Sequence, residues 1–285
     1  MLLLRSLSEY PAPDSTESRI VWGRSRHAEF GPFAQPLSIR AVWGGTQHCH
    51  VDGRTIAVDD DNFLILNHGR ICSTSIHAAH PVESLTICFS PELVARVQGA
   101  PEFIENLQAH DRVVSPVLRF IRAHLERGVV DEAWYEEQLV FLLERMRSLQ
   151  TRLLEQIDRI ALVRPATRRE AFRRIGLATD FLQANYAQEV DLGELARIAY
   201  LSKYHFLRLF TLIHGMTPWK YLQRKRVDVA VRLLESTQLP ISEVTASVGF
   251  AFESTLLRQV RRRTKLSPRQ LRFRTLDGKC AIAAR

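Results

Sequence analysis

Short apolar segments, divided by Gly, Asp and Asn, fill the first 90 residues of the chain. They are RIVW, LSIRAVW, RTIAVDD, NFLILN and ESLTICFS, all rich in Val, Ile, Leu or Phe. Between them, VDGR (Val51–Arg54) and NHGR (Asn67–Arg70) carry the residues of tight turns. Strands with this spacing are typical of an antiparallel barrel or sandwich, and we predict the barrel.

Helical periodicity follows Ser90. SPVLRFIRAHLERG has a Ser-Pro start and a Gly stop. Between Asp131 and Ile160 one apolar stripe recurs at steps of three and four residues, and it comprises Leu139, Leu142, Leu143, Met146, Leu149, Leu153 and Ile157. Such a stripe either packs on the barrel or pairs with a second copy of itself, which would make a homodimer. Pro165 interrupts the helical pattern, and we place a linker over Leu162–Glu170.

The region from Arg173 to Arg274 predicts seven helices, and two of them form a helix-turn-helix unit. Asp191, followed three residues later by Glu194, is a capping box and predicts a short helix over LGELARIA. After a tight turn, Ser202 caps a second helix. That helix ends at Gly215, in the position of a left-handed C-terminal cap.

The same pattern returns after a long helix predicted from Pro218 to Ser236. PISEVTASVGF predicts a short helix that ends at Gly249, and another helix covers about Glu253–Thr264. The register shift is 50 residues, so Arg258 repeats Arg208, and the second turn holds one extra residue. The long helix of 19 residues spans about 28 Å, near the ~34 Å of one duplex turn. Two helix-turn-helix units in tandem form an internal repeat.

Each unit of this kind inserts its second helix into the DNA major groove, so the faces of that helix should differ. In the first unit the predicted core face comprises Phe206, Leu209, Phe210 and Ile213, and the outer face comprises Tyr204, Leu207, Arg208 and Thr211. In the second unit Leu256 and Val260 lie inside, while Ser254, Leu257, Arg258 and Arg261 lie outside. Leucine beside arginine suits a thymine methyl group next to guanine or phosphate. The alternative is that Leu207 and Leu257 pack on neighbouring helices.

The net charge of +8 is unevenly distributed. From Pro165 onward, 22 Lys and Arg face 10 Asp and Glu, whereas residues 1–164 hold 17 and 21. A basic C-terminal part indicates an anionic partner, with nucleic acid the first candidate and a solvated basic surface the alternative. The chain has no apolar run of about 20 residues, no signal-peptide pattern and no CxxC among its four cysteines. We therefore expect a cytoplasmic protein without a membrane partner.

The C-terminal hundred residues resemble the AraC/XylS family of bacterial transcription regulators. The resemblance covers about Arg173–Arg274 and rests on the runs ELA…LS…F.RLF…G.TP..YL, ISEV…VGF…STL.R and LSP..LR. It implies a bipartite helix-turn-helix domain that binds promoter DNA, with RNA polymerase as a candidate protein partner. It also implies an N-terminal cupin-like barrel that senses a small ligand or mediates dimerisation. Val260 and Lys265 depart from the phenylalanine and glycine usual in the family.

The resemblance places base contacts on both recognition helices. They are Tyr204, Leu207 and Arg208 in the first unit, and Glu253, Ser254, Thr255, Leu257 and Arg258 in the second. Charge predicts phosphate contacts at Ser202, Lys203, Arg261 and Arg262, and Thr211 completes the outer face. For Arg226, in the long helix, we predict a structural ion pair. Lys265 at a left-handed cap should cost about 1 kcal/mol.

An enzyme or metal protein is the alternative. His48 and His50 in HCH point the same way if they lie on a strand, as two ligands of a cupin metal site would. The predicted turns nearby add His68, His77 and His80. However, no carboxylate follows at the spacing of a cupin enzyme, and the chain has no phosphate-binding glycine loop, GxSxG or HExxH. We therefore predict no catalytic residue, cofactor or metal, with a metal-dependent cupin enzyme, a metal sensor or a purely architectural DNA binder as the competing hypotheses.

These patterns together predict an α+β protein. Residues 1–130 would form a cupin-like sensor or dimerisation domain, 131–170 a helical connector and linker, and 171–275 the DNA-binding domain. Its helix-turn-helix units would cover about 191–214 and 241–264, and residues 276–285 would form a tail. The expected function is sequence-specific binding of promoter DNA through two recognition helices in successive major-groove segments.

Overall fold

The computed structural model describes residues 2–4, 17–97, 102–128, 131–159 and 165–272. The chain divides into two compact units, Met1–Ala184 and Asn185–Arg285. The predicted tail at 276–285 and Cys280 lie outside the described residues. The first unit is a mixed α+β structure and the second is helical, as predicted.

The first unit is built on a single curled sheet. Its strands are β1 (Leu2–Leu4), β2 (Arg19–Ala34), β3 (Ser38–Trp43), β4 (Thr46–Val51), β5 (Arg54–Asp59), β6 (Asn62–Leu66), β7 (Ile71–Cys88) and β8 (Leu107–Ala109). The strand order is β1-β2-β7-β3-β6-β8, and β4 pairs with both β5 and β7. All pairings are antiparallel except that of β1 with β2. The sheet forms a near-closed barrel, which confirms the predicted architecture.

Long strands and a predicted turn shape the barrel. The long strand β7 pairs with β2, β3 and β4, so one strand joins most of the sheet. At the predicted VDGR hairpin, Asp52 and Gly53 have φ of 49° and 76°, and Val51 pairs with Arg54 across the turn. The sequence segments RIVW and ESLTICFS are therefore only parts of much longer strands. The remaining parts of β2 and β7 contain many polar or exposed residues. Sequence patterns did not predict them as strand because they lack the apolar run that marks one.

The helices of the first unit cover one face of this sheet. They are α1 (Pro91–Arg96), α2 (Ser115–Glu126) and α3 (Glu132–Asp158). Leu139, Leu142, Leu143 and Met146 of the α3 stripe are fully buried, in one cluster with sheet residues such as Ile39 and Ile87. The stripe therefore packs on its own domain. These four side chains are covered within the chain, so the alternative prediction, that two copies of the chain pair through them, is wrong.

A fourth helix, α4 (Pro165–Ala184), packs on β5 and α3. Asn62 Nδ2 donates to Gln183 Oε1 at 3.1 Å, and Arg54 Nη1 lies 3.8 Å from Asp180 Oδ2. The predicted linker over Leu162–Glu170 overlaps the start of this helix. Proline has no amide hydrogen to lose in a first helical turn, so a helix can begin at Pro165.

The second unit contains α5 (Leu192–Ile198), α6 (Lys203–His214), α7 (Pro218–Ser236), α8 (Ile241–Ser247) and α9 (Glu253–Thr264). Residues 268–272 are also helical. With α4, these make the seven helices that the sequence predicts. The core of the second half joins Val229, Ala230 and Leu234 of α7 to Val244 of α8 and Leu256 of α9. The second pair of helices, α8 and α9, is thus packed on the long helix α7.

Candidate DNA-binding surface

The first helix-turn-helix unit is capped as its sequence predicts. Asp191 accepts hydrogen bonds from the amides of Gly193 and Glu194, at 2.7 and 3.2 Å. Ser202 caps α6 by accepting from the amide of His205 at 3.4 Å, and Gly215 ends the helix with φ of 67°. The caps fix where α6 begins and ends, and so fix which side chains face outward.

The two faces of α6 differ in burial. Phe206 and Phe210 are fully buried, and their ring centroids lie 5.5 Å apart. Leu209 and Ile213, predicted for the same core face, are only half-buried. The predicted DNA-facing residues are all exposed: Ser202, Lys203, Tyr204, Leu207, Arg208 and Thr211. Leu207 retains 38% of its accessible surface, so it is available to a partner even though it is apolar.

The second helix-turn-helix unit, α8 and α9, has its turn at Gly249, whose φ is 77°. A Cβ atom there would lie 2.3 Å from the carbonyl oxygen of Ala187. Glycine is required at this position both by its left-handed backbone and by this close approach. Lys265 ends α9 with φ of 64°, which matches the left-handed cap predicted for it.

The helix α9 repeats the division of α6. Leu256 and Val260 are fully buried in the core. Of the residues predicted to face DNA, Glu253, Ser254, Arg258, Arg261 and Arg262 are exposed, whereas Thr255 and Leu257 are half-buried. Half-burial of Leu257 fits the alternative of packing on neighbours better than full exposure would, and leaves part of the side chain accessible.

Several arginines on these faces have no acidic neighbour. In the part of the chain that the structure describes, Arg208, Arg258, Arg261 and Arg262 form no ion pair with a carboxylate. By contrast, Arg263 Nε lies 2.9 Å from Asp228 Oδ1 of α7. The positive charges of the other four are therefore not neutralised within the described chain, and they can serve phosphates or base edges.

Arg226 of α7 is a structural residue, but its partners differ from the prediction. Its guanidinium donates to three backbone carbonyl oxygens, those of Tyr186, Gly249 and Gln188, at 2.7, 2.7 and 2.8 Å. The predicted ion pair is therefore replaced by charge-assisted hydrogen bonds to the backbone. Burial lowers the pKa of Arg226 from its ordinary value, and Glu189 opposes this effect.

Sequence reasoning missed one exposed residue at the start of α9. Phe252 occupies the N-cap position, retains 70% of its accessible surface, and makes no capping hydrogen bond. The signal was present in the repeat, because the 50-residue shift aligns Phe252 with the capping residue Ser202. The second unit therefore lacks the side-chain cap that Ser202 supplies in the first.

The histidines considered for a metal lie in the first unit. His48 and His50 lie on β4 and share a face, while Cys49 between them is buried on the opposite face. His77 lies on β7 and not in a turn, and its Nε2 is 3.2 Å from Glu29 Oε1. Burial, together with the nearby His50 and His77, lowers the pKa of His48.

Within the described ranges, no three or more His, Cys, Asp or Glu side chains are grouped so that they could hold a metal ion. Among these same residues, no helix is both long enough and apolar enough to cross a membrane.

Comparison with known proteins supports the helical repeat. Residues 195–274 match the helix-turn-helix domain family. The chain is 31% identical over 97 residues to the probable transcriptional regulator LumQ of Photobacterium leiognathi, covering 34% of this chain and 39% of LumQ. It is 36% identical over 80 residues to the uncharacterized HTH-type transcriptional regulator YbfI of Bacillus subtilis (strain 168), covering 28% and 29%. The chain thus spans less than half the length of these relatives.

Among solved structures, a transcriptional regulator from Chromobacterium violaceum with an AraC-type DNA-binding domain is 23% identical. The alignment covers 37% of this chain and 94% of that chain, with a TM-score of 0.35. The helix-turn-helix family match at residues 195–274 spans α6 to α9 of the two helix-turn-helix units described above. Residues 195–274 of this chain thus match a helix-turn-helix domain, and the two relatives are named as transcriptional regulators.

Proposed function

We propose that the protein is a sequence-specific transcription regulator that binds promoter DNA with α6 and α9 in successive major-groove segments. One observation carries the proposal. The two recognition helices, repeated at a shift of 50 residues, each bury one face in the domain core and expose an arginine without an acidic partner in the described chain. That arrangement leaves Arg208 and Arg258 available to DNA.

The exposed residues divide into two roles. Base edges would be read by Tyr204, Leu207 and Arg208 in the first helix-turn-helix unit, with Thr211 beside them on the outer face. In the second they would be read by Glu253, Ser254, Thr255, Leu257 and Arg258. Phosphates would be bound by Ser202 and Lys203, at the N-terminus of α6, and by the positive charges of Arg261 and Arg262 in the last turn of α9. Phosphate contacts position the protein on the duplex and base contacts select the sequence.

The N-terminal unit of the chain, Met1–Ala184, would regulate this binding. Its predicted roles are sensing of a small molecule in the cupin-like barrel, dimerisation, or both, within a cytoplasmic regulator that meets RNA polymerase at the promoter. Buried polar side chains lie among the apolar residues of the sheet, and Ser84 Oγ donates to Gln47 Oε1 at 3.2 Å. Polar groups of this kind would orient a ligand. A screen of metabolites by thermal shift tests it, since an effector raises the unfolding temperature in proportion to ln(1 + [L]/Kd).

Enrichment of duplexes from a random pool by the full-length protein tests the main proposal. Affinity for an enriched duplex and for a scrambled one should then be measured at several salt concentrations. We expect the enriched duplex to bind about a thousandfold more tightly, and log K to fall linearly with log salt. Equal affinity for both duplexes would leave only a non-specific, architectural DNA binder.

A further inference from the structure

Phe252 stands at the N-cap of α9 without making a capping hydrogen bond. The other helices of the two units are capped by Asp191, Ser202 and Thr217, whose side chains accept amide hydrogen bonds. Besides α9, the helix α8 also lacks a side-chain cap, because Pro240 stands at its N-cap position. At α9 a phenylalanine stands where a capping side chain is worth about 1 kcal/mol. Its ring is 70% exposed, and no aromatic ring contact is made with it in the described chain.

The position of Phe252 points toward the duplex. Recognition helices place their N-terminal residues against base edges, so a side chain at the N-cap arrives at the groove with the first helical turn. The exposed residues Glu253 and Ser254 follow it directly, and Arg258, Arg261 and Arg262 make the same helix strongly basic. A basic surround favours DNA over an apolar protein partner as the group that covers the ring.

The major groove offers one apolar group to such a ring, the C5-methyl of thymine. We propose that Phe252 contacts a thymine methyl group in the DNA segment bound by α9, and so selects thymine at one position there. This inference rests on the proposed function. The two units would then recognise DNA differently at their helix starts. Ser202 offers a hydroxyl to the backbone, whereas Phe252 offers a ring to a base.

Replacement of thymine by deoxyuridine tests the contact, because it removes the methyl group and keeps the base pair. Each thymine of an enriched duplex should be replaced singly, and the affinity of the full-length protein measured. We expect one replacement in the α9 segment to weaken binding about fourfold, the value of burying one methyl-sized group. The same duplexes should then be bound by Phe252→Ser and Phe252→Leu.

The serine variant separates recognition from folding. Phe252→Ser restores a capping side chain, so it should unfold at an equal or higher temperature while it binds the thymine and deoxyuridine duplexes equally. Phe252→Leu should keep the methyl preference. Phe120→Ser is the matched control, since Phe120 is 56% exposed on α2 of the first unit, and it should keep the wild-type preference.

The outcomes distinguish the two proposals. If the pool yields no preferred duplex, the proposed function fails. If a preferred duplex is bound and no thymine replacement matters, or if Phe252→Ser keeps the wild-type preference, only the thymine contact is overturned. A Phe252→Ser variant with unchanged DNA affinity and reduced transcription in a purified system would assign the ring to a protein partner instead.

Discussion

Nη1 of Arg226 donates a hydrogen bond to the carbonyl oxygen of Gly249 at 2.7 Å. Gly249 forms the turn between α8 and α9, and Arg226 lies in the middle of α7. The same guanidinium holds the carbonyls of Tyr186 and Gln188, so one side chain joins the long helix to two irregular segments. The placement of α9 therefore depends on Arg226, a buried side chain of α7.

Arg226→Lys should lower the unfolding free energy of the second helix-turn-helix unit by about 3 kcal/mol. The planar guanidinium group donates to three carbonyl oxygens at once, which a single ammonium group cannot do. Hydrogen exchange of the full-length protein, followed by mass spectrometry, would show faster exchange in peptides from α8 and α9. Arg224→Lys is the control, because Arg224 is exposed and its ion pair with Asp228 Oδ2 is long, at 3.7 Å. Equal exchange in both variants would contradict the structural role.

Lys265→Gly should stabilise the protein by about 1 kcal/mol, because Lys265 has φ of 64°, which glycine adopts without strain. The equivalent cap in the first unit, Gly215, provides the reciprocal change. Gly215→Ala should destabilise by a similar amount, since nothing lies within 4 Å of its Cβ position and backbone strain alone is tested. Urea unfolding measures both. A stabilising Gly215→Ala would refute the argument from backbone conformation.

Arg208→Ala should weaken binding to an enriched duplex by tenfold or more and binding to random DNA far less, because a bidentate base contact is worth about 1–3 kcal/mol. Arg152→Ala, an exposed arginine on α3 of the first unit, is the control. Titrations of both duplexes at fixed salt decide the matter. Equal losses on the two duplexes would show that Arg208 contacts phosphate.

Asp180→Asn should stabilise the protein above neutral pH. Burial raises the pKa of Asp180 to about 7 from an ordinary value of 3.8, and Arg54 opposes the rise. The folded state therefore binds a proton that the unfolded state releases, so stability falls as pH rises from about 4 to about 7.

The asparagine variant avoids this loss. The gain should be about 4 kcal/mol at pH 8, by the ~1.4 kcal/mol of each pKa unit, and should vanish near pH 4. Thermal unfolding at several pH values measures it, with the exposed Glu155→Gln as control. A gain that does not vary with pH would mean that the carboxyl group is not the cause.

The helical repeat was readable from sequence because its signals are local. Capping residues, glycine stops and a three-to-four residue period each act within one or two turns. In the structure, side-chain caps occur at α5 and α6, a glycine stop ends α6, and the buried faces of α6 and α9 follow the predicted period. The barrel was predicted only as a class. The lengths of β2 and β7 depend on partners far along the chain, so no local pattern announces where they end.

The site was predicted to a similar depth. Exposure of Tyr204, Leu207, Arg208 and Arg258 follows from helical periodicity alone. The partners of Arg226 did not follow, because they are backbone carbonyls of residues 23 and 40 positions away, or in between. The half-burial of Leu257 also depends on tertiary packing. Local sequence patterns thus predict which helix face is exposed, whereas long-range packing determines how exposed each side chain on that face is.

The helix α7, Pro218–Ser236, is continuous and lies between the two units. A rigid helix separates α6 and α9 by a set amount, and B-DNA returns the same groove after about 10 base pairs. Operators of this protein should therefore tolerate base changes between the two contacted segments but not an insertion or a deletion there. One added base pair turns the second segment by about 35° around the duplex axis, away from α9. In a genome, its sites should appear as two short conserved blocks with an invariant gap.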